Sequence, residues 1–181
     1  MQANKTAEQI ESTKKLNKVI VSLDRVNAET KAMIFQMANQ MSEAEIIRSF
    51  NQQALDMFTL VNVLVKKMGV NESKFPVSGY KNLFDNAIKL NAKLPLETFT
   101  LMILEHAAEI YEENEDCFLN MKISDHNAQV QNEFAIIKSD TFKQLWRVSN
   151  SGDKEKIKQS VIPLTTFAHA YFYKTVLKYI K

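Results

Sequence analysis

The residues best suited to chemistry lie in the segment LEHAAEIYEENED, at positions 104–116. The segment places His106 among six acidic side chains, and imidazole and carboxylate groups can ligate metals or transfer protons. On a helical wheel, four of the acids form an acidic line at spacing i, i+4, i+7, i+11: Glu105, Glu109, Glu112 and Asp116. The segment is therefore either a functional site or the solvated face of a helix.

The sequence favours the solvated face over a metal site. A di-metal site in a helical bundle draws on Glu-x-x-His motifs from two helices, and this chain contains none. The other histidines, His126 and His169, have no acid at ligand spacing on an inward face. We therefore expect His106 to hydrogen-bond to Glu109, and we expect no metal and no cofactor.

Other catalytic patterns are equally weak, so we interpret the protein as non-enzymatic. The neighbours in SDH, at 124–126, point about 100° apart on a helix and cannot form a triad by themselves. The sequence has no Gly-x-Ser-x-Gly motif and no Gly-rich phosphate loop. Cys117 is the one cysteine, which excludes an internal disulfide, and its apolar neighbours predict a buried, unreactive thiol.

Two neighbouring segments in the second half of the chain differ in charge. Residues 97–125 carry eight acids and one lysine, whereas residues 126–181 carry nine bases and four acids. Lysines near the end form a basic line at i, i+4, i+7: Lys174, Lys178 and Lys181. Because the acidic line has matching spacing, we expect the two lines to pair, either within one chain or between neighbouring chains. Two independently solvated lines are the alternative.

The pattern of apolar residues predicts an all-α protein, an irregular bundle of six to eight helices. Only three Gly and three Pro interrupt the 181 residues, which favours long helices in a single domain over 1–181. A long N-terminal helix, within 1–41, is free to protrude from a helical body at 42–181. The predicted helices are 5–41, 43–68, 80–93, 95–118, 125–138, 141–149, 153–162 and 164–180.

Two predicted helices carry more apolar surface than one buried face requires. Helix 5–41 has a heptad of apolar residues and, nearly opposite, a second thin apolar face of Val21, Ala28 and Phe35. That second face either contacts another chain or is covered by the protein's own fold. Helix 43–68 begins at the capping box SEAE, ends before Gly69, and is apolar around most of its circumference, which predicts a central position.

Residues 141–162 offer an alternative function, that of a helical nucleic-acid-binding regulator. Two short helices around a turn at Gly152 have the outline of a helix-turn-helix, with Lys154, Lys156 and Lys158 available to phosphates. Asp153 and Glu155 interrupt that basic face, and the chain has only three Arg against twenty Lys. Nucleic acid is therefore the second choice.

We predict a non-enzymatic structural or adaptor subunit of a larger assembly, acting as a homo-oligomer or within a hetero-assembly. The abundance of Lys and Asn, residues with AT-rich codons, suggests a low-GC genome and makes a virion or phage component the concrete hypothesis. The first thirty residues lack the apolar core of a secretory signal, and the longest apolar stretch, 57–65, is too short to span a membrane. A cytoplasmic or virion location follows as the expectation.

Overall fold

The protein is all-α, as the sequence predicts. The structure, a computed structural model, describes residues 6–71, 73, 76–120 and 140–180, and these residues contain no strand. The predicted helix at 125–138 lies outside the described residues. One hydrophobic core joins side chains from both ends of the chain, from Val19 to Phe172.

The predicted helix at 5–41 is wrong in its middle, because the structure has two helices there. Helix α1 spans Ala7–Asp24 and helix α2 spans Ala28–Gln40. The Asn27 side chain accepts a hydrogen bond of 2.8 Å from the amide of Thr30, which makes Asn27 the N-cap of α2. The heptad continues across the break because Val26, in the connection, is itself buried. Apolar spacing alone therefore did not reveal the break.

Helix α3, Glu43–Lys67, confirms the predicted central helix. The Ser42 hydroxyl and the Glu45 carboxylate complete the predicted capping box at its start. Gly69 has a φ of 67° after its end, and the amides of Gly69 and Val70 donate to carbonyls of the last turn, which is a Schellman motif. Ten of its residues are buried, which gives it the central position.

The region predicted as one helix at 95–118 is divided into four parts. Helix α4, Val77–Leu90, precedes helix α5, Leu94–Ile103, which has Pro95 in its first turn. A 3-10 turn, Leu104–His106, connects α5 to helix α6, Ala107–Tyr111, and helix α7 covers Glu115–Asn120.

A second Schellman motif ends α6 and separates it from α7. Glu113 has a φ of 56°, its amide donates to the Ile110 carbonyl, and the Asn114 amide donates to the Glu109 carbonyl. The Asn114 side chain then accepts from the amide of Cys117 at 3.2 Å and caps α7. The prediction of one continuous helix was wrong because a non-glycine residue adopts the left-handed conformation here.

The last part of the chain forms helix α8, Asp140–Val148, and helix α9, Ser151–Phe172. The turn between them is at Ser149 and Asn150, with Asn150 as N-cap, so the predicted turn at Gly152 is wrong: Gly152 lies in the first turn of α9. Pro163 lies inside α9 and does not divide it, because α9 is held along its length against α3. A π-helical turn, Tyr173–Leu177, and a final turn, Lys178–Ile180, follow.

Replacement of two valines on α3, Val61 and Val63, tests whether the inward face of this helix stabilises the fold. Val61 is fully buried, whereas the Val63 side chain is 56% exposed. Val61→Ala should lower the free energy of unfolding by about 2 kcal/mol, because it removes buried methyl groups and leaves a cavity. Val63→Ala should change it by less than about 0.5 kcal/mol. Urea unfolding of both variants measures the difference, and equal losses would contradict the assigned faces.

Candidate functional site

A first cleft of about 520 Å³ lies between α1 and the 3-10 turn at 104–106. The turn is held against α1 by its buried Leu104, and the Ala108 amide donates to the Ser22 hydroxyl at 3.5 Å. This placement brings the predicted residues Val21, Glu105 and His106 to one cavity. The cleft is lined by Asn17, Lys18, Val21, Ser22, Arg25, Glu105 and His106.

The acids at this cleft pair with partners that the sequence did not indicate. Arg25 donates to Glu109 at 2.7 Å, across the interface of α1 and α6. Nε2 of His106 lies 3.3 Å from Oε1 of Glu105, so the expected bond from His106 to Glu109 is not the contact that forms. The interaction with His106 is the main cause that lowers the pKa of Glu105, and nearby Lys18 acts in the same direction.

The surroundings of Cys117 differ from the buried, unreactive thiol that the sequence predicts. Cys117 is half-buried, and its side chain interacts with the His106 ring. The interactions with Cys117 first, and Glu105 second, outweigh burial and raise the pKa of His106 to about 9. His106, at the first cleft, therefore interacts both with the 3-10 turn and with α7. The nearest signal in the sequence was the single cysteine eleven residues after His106.

A second cleft of about 410 Å³ lies where α1, α2 and the π-helical turn meet. The Phe35 ring packs edge-on against the Tyr173 ring, with 4.9 Å between centroids. Lys174, in the same turn, donates to the Ala38 carbonyl at 2.8 Å and so satisfies the carboxyl end of α2. The lining is mixed apolar and polar: Leu23, Asp24, Lys31, Ala32, Ile34, Phe35, His169, Tyr173 and Leu177.

His169 forms the buried polar part of the second cleft. Its side chain is nearly inaccessible, and its Nδ1 lies 3.3 Å from the Tyr111 hydroxyl. Burial first, and the charge of Lys31 second, lower the pKa of His169 to about 4. His169 is therefore neutral at physiological pH, in contrast to His106.

The predicted second apolar face of the N-terminal helix is exposed but is not one face. Val21 is 61% exposed at the first cleft, and Phe35 is 48% exposed at the second; Ala28 is exposed between them. The break before α2 redirects the chain, so residues seven apart no longer share a direction. The protein's own fold therefore leaves these three side chains exposed, the prediction of a single face is wrong, and contact with another chain stays a prediction.

The acidic and basic lines do not pair within the part of the chain that the structure describes. Glu105 and Glu109 are used by His106 and Arg25, and Lys174 is bound to a backbone carbonyl. Glu112, Asp116 and Lys178 are exposed, and Lys181 lies outside the described residues. The acidic line is also discontinuous because α6 ends before Glu112. Pairing between neighbouring chains remains a prediction.

The lysines of the nucleic-acid alternative are partly engaged by acids. Lys154 donates to Glu115 at 2.8 Å and lies over the Trp146 ring, and Lys156 is 3.8 Å from Asp153. Lys158 is half-buried, and its charge helps to lower the pKa of Glu115, after the larger effects of Lys154 and Trp146. These contacts reduce the positive charge available to phosphates on this surface.

An uncharacterized protein of Acanthamoeba polyphaga mimivirus is 54% identical to this chain over 168 residues, or 93% of each chain. The chain belongs to the family of this mimivirus protein. No family model matches the sequence, and no solved structure matches it. In the chain described here by its structure, residues 6–71, 73, 76–120 and 140–180 contain no group of three or more His, Cys, Asp or Glu side chains arranged to hold a metal. None of the helices described is both long and apolar enough to cross a membrane.

The buried neutral His169 should make the fold sensitive to acid. Below pH about 6.5 the unfolded chain gains a proton on this histidine, whereas the folded chain excludes it until pH is about 4. Stability is therefore lost as pH falls through this window, by about 3 kcal/mol in total. Urea unfolding from pH 7.5 to 4.5 should show this loss in the wild type and a smaller loss in His169→Gln. Parallel curves for the two proteins would contradict the assignment.

Proposed function

We propose that the protein is a non-enzymatic helical subunit of a viral assembly and that it associates with a second copy of itself. The observation that supports this most is the exposed apolar surface of α1 and α2. Val21, Met33 and Phe35 each leave about half or more of the side chain exposed. Exposed aromatic and methionine side chains are typical of protein interfaces rather than of solvated surface.

Phe35 is the best anchor for such a contact. Its ring is half-exposed and held by Tyr173, so little side-chain freedom remains to be lost on binding. The second cleft lies directly beside it, which offers a concave surface for an apolar side chain of the other copy. Large side chains that fill pockets are common among interface hot spots.

The charges support a second copy as the partner. One region of the surface is acidic through Glu112, Glu113 and Asp116, and Lys178 is exposed near the carboxyl end. Among the described residues, these acids have no cation within ion-pair distance. Because each copy carries both signs of charge, two copies can satisfy each other, which is the prediction that the acidic and basic lines made for neighbouring chains.

The family supports the viral part of the proposal. Its mimivirus member is similar over nearly its full length, and a structural role in the virion is consistent with that source. We place the subunit in the virion or in the cytoplasm.

Replacement of Phe35 tests the apolar contact. Phe35→Asp should raise the dissociation constant of the self-associated form at least about tenfold, because it places a charge in an apolar interface. Val63→Asp is the matched control, since Val63 is also exposed but lies on α3. Light scattering over a range of concentrations measures both, and circular dichroism checks helicity. A wild-type protein that is monomeric at every concentration would overturn the proposal, and unfolding of Phe35→Asp would assign that residue to the core.

Charge exchange tests the pairing between copies. Glu112→Lys and Lys178→Glu should each weaken self-association several-fold in low salt, because exposed pairs contribute up to about 1 kcal/mol each and occur twice in a symmetric dimer. Mixing the two variants should restore association. The differences should disappear in about 1 M salt, where screening removes them. If the mixture associates no better than either variant alone, these charges do not meet.

A further inference from the structure

The second cleft has the composition of a ligand pocket. Its volume of about 410 Å³ lies within the range of roughly 300–1,000 Å³ that small-molecule sites occupy. Leu23, Ile34 and Leu177 supply aliphatic lining, and the paired rings of Phe35 and Tyr173 supply aromatic lining. A pocket of this kind binds the apolar part of a ligand, and a few polar groups fix the orientation of the ligand.

Lys31, in the lining of this cleft, is a half-buried cation without an acidic partner. Its ammonium group donates to the Asp24 backbone carbonyl at 2.8 Å, and no carboxylate among the described residues lies within ion-pair distance of it. Lys31 also lies near the amino end of α2, where the helix dipole disfavours a positive charge. The Asp24 carboxylate is exposed, so solvent screens its charge. An anion bound in the cleft would therefore stabilise the charge of Lys31.

His169 places a second donor in the cleft. The residue is only 5% exposed, and its Nδ1 lies 3.3 Å from the Tyr111 hydroxyl. Nε2, on the other side of the ring, has no hydrogen-bond partner within the described part of the chain, and it is not fully enclosed. With the Tyr111 hydroxyl as donor to Nδ1, the proton of the neutral ring lies on Nε2, where an acceptor in the cleft can bind it.

We propose that the second cleft binds a small amphipathic monocarboxylate, such as a medium-chain fatty acid. The carboxylate accepts hydrogen bonds from the ammonium group of Lys31 and from Nε2 of His169. The apolar chain lies against Leu177 and the rings of Phe35 and Tyr173. A carboxylate suits the two donors because it has two acceptor oxygens, and because hydrogen bonds to a charged group are stronger than those between neutral groups.

Ligand binding and self-association can be tested separately, although they share the cleft. Because Phe35 lines the cleft, a bound carboxylate excludes an apolar side chain of a second copy from this space. Calorimetry detects ligand binding whether or not the protein is monomeric, and light scattering detects self-association without any ligand. Loss of one property is therefore distinguishable from loss of the other.

The first experiment titrates the full chain with octanoate by isothermal calorimetry, below the micelle concentration, and compares octanol and acetate. Octanol has the same chain length without the charge, and acetate has the charge without the chain. Octanoate should bind at least about tenfold more tightly than octanol, because only octanoate forms charge-assisted hydrogen bonds. Acetate should show no measurable binding. Equal affinities for octanoate and octanol, or no binding of octanoate, would exclude the carboxylate site.

Two lysine variants test the position of the carboxylate. Lys31→Met keeps an apolar side chain of similar length and removes the charge, so it should weaken octanoate binding about tenfold and leave octanol binding unchanged. Lys89→Met is the matched control, because Lys89 is exposed on α4 and does not line the cleft, and it should leave both affinities unchanged. Equal losses in the two variants, or equal losses for the two ligands in Lys31→Met, would contradict the assigned position.

Two further variants test the cleft itself. Ala32 is exposed and lines the cleft from α2, so Ala32→Trp should fill the space and abolish binding of octanoate and octanol alike, with helicity unchanged by circular dichroism. His169→Gln keeps a side-chain donor and should weaken octanoate binding by a smaller factor than Lys31→Met. Should Lys31→Met fail to fold, undiminished octanoate binding by Ala32→Trp would place the ligand outside the cleft and end the proposal.

Discussion

The burial of α3 is the constraint on which the other elements depend. Its apolar residues occupy most of its circumference, so it must be enclosed on several sides, and α4, α5 and α9 enclose it. Helix α9 runs antiparallel to it: Lys67 pairs with Asp153 at one end, and Gln53 donates to the Ser160 carbonyl further along. Asp153 lies in the first turn of α9, and Lys67 lies in the last turn of α3. Each charge is therefore also stabilised by the dipole of its own helix. The ends of the two helices are thereby fixed in register.

Helix boundaries could be predicted from the sequence where capping residues and apolar spacing agree. The start and end of α3 could be predicted because Ser42, Glu45 and Gly69 supply caps at the same positions where the apolar pattern begins and stops. The break before α2 could not, since Val26 continues the heptad and the N-cap Asn27 lies inside it. The end of α6 could not be predicted either, because Glu113 adopts the left-handed backbone conformation that glycine usually occupies at a helix end.

The candidate site depends on these unpredicted breaks. On one continuous helix, His106 and Cys117 would point in nearly the same direction but lie about 16 Å apart along the axis. The turn at 112–114 shortens that separation, so that Cys117 can interact with His106. Pairing of the acidic and basic lines within one chain could not be judged from spacing either, because the folded chain pairs Glu109 with Arg25, which lies 84 positions away in the sequence.

The π-helical turn at 173–177 has a consequence for the direction of the last residues. A turn of this kind holds one residue more than an α-helical turn, so everything after it is rotated by about 100° relative to an uninterrupted helix. Phe172, just before the turn, points into the core, whereas Tyr179 and Ile180 lie largely in solvent. The outward orientation of the carboxyl end is thus the result of one extra residue in this turn. Loss of a single residue within 173–177 would rotate this end of the molecule without any change in its composition.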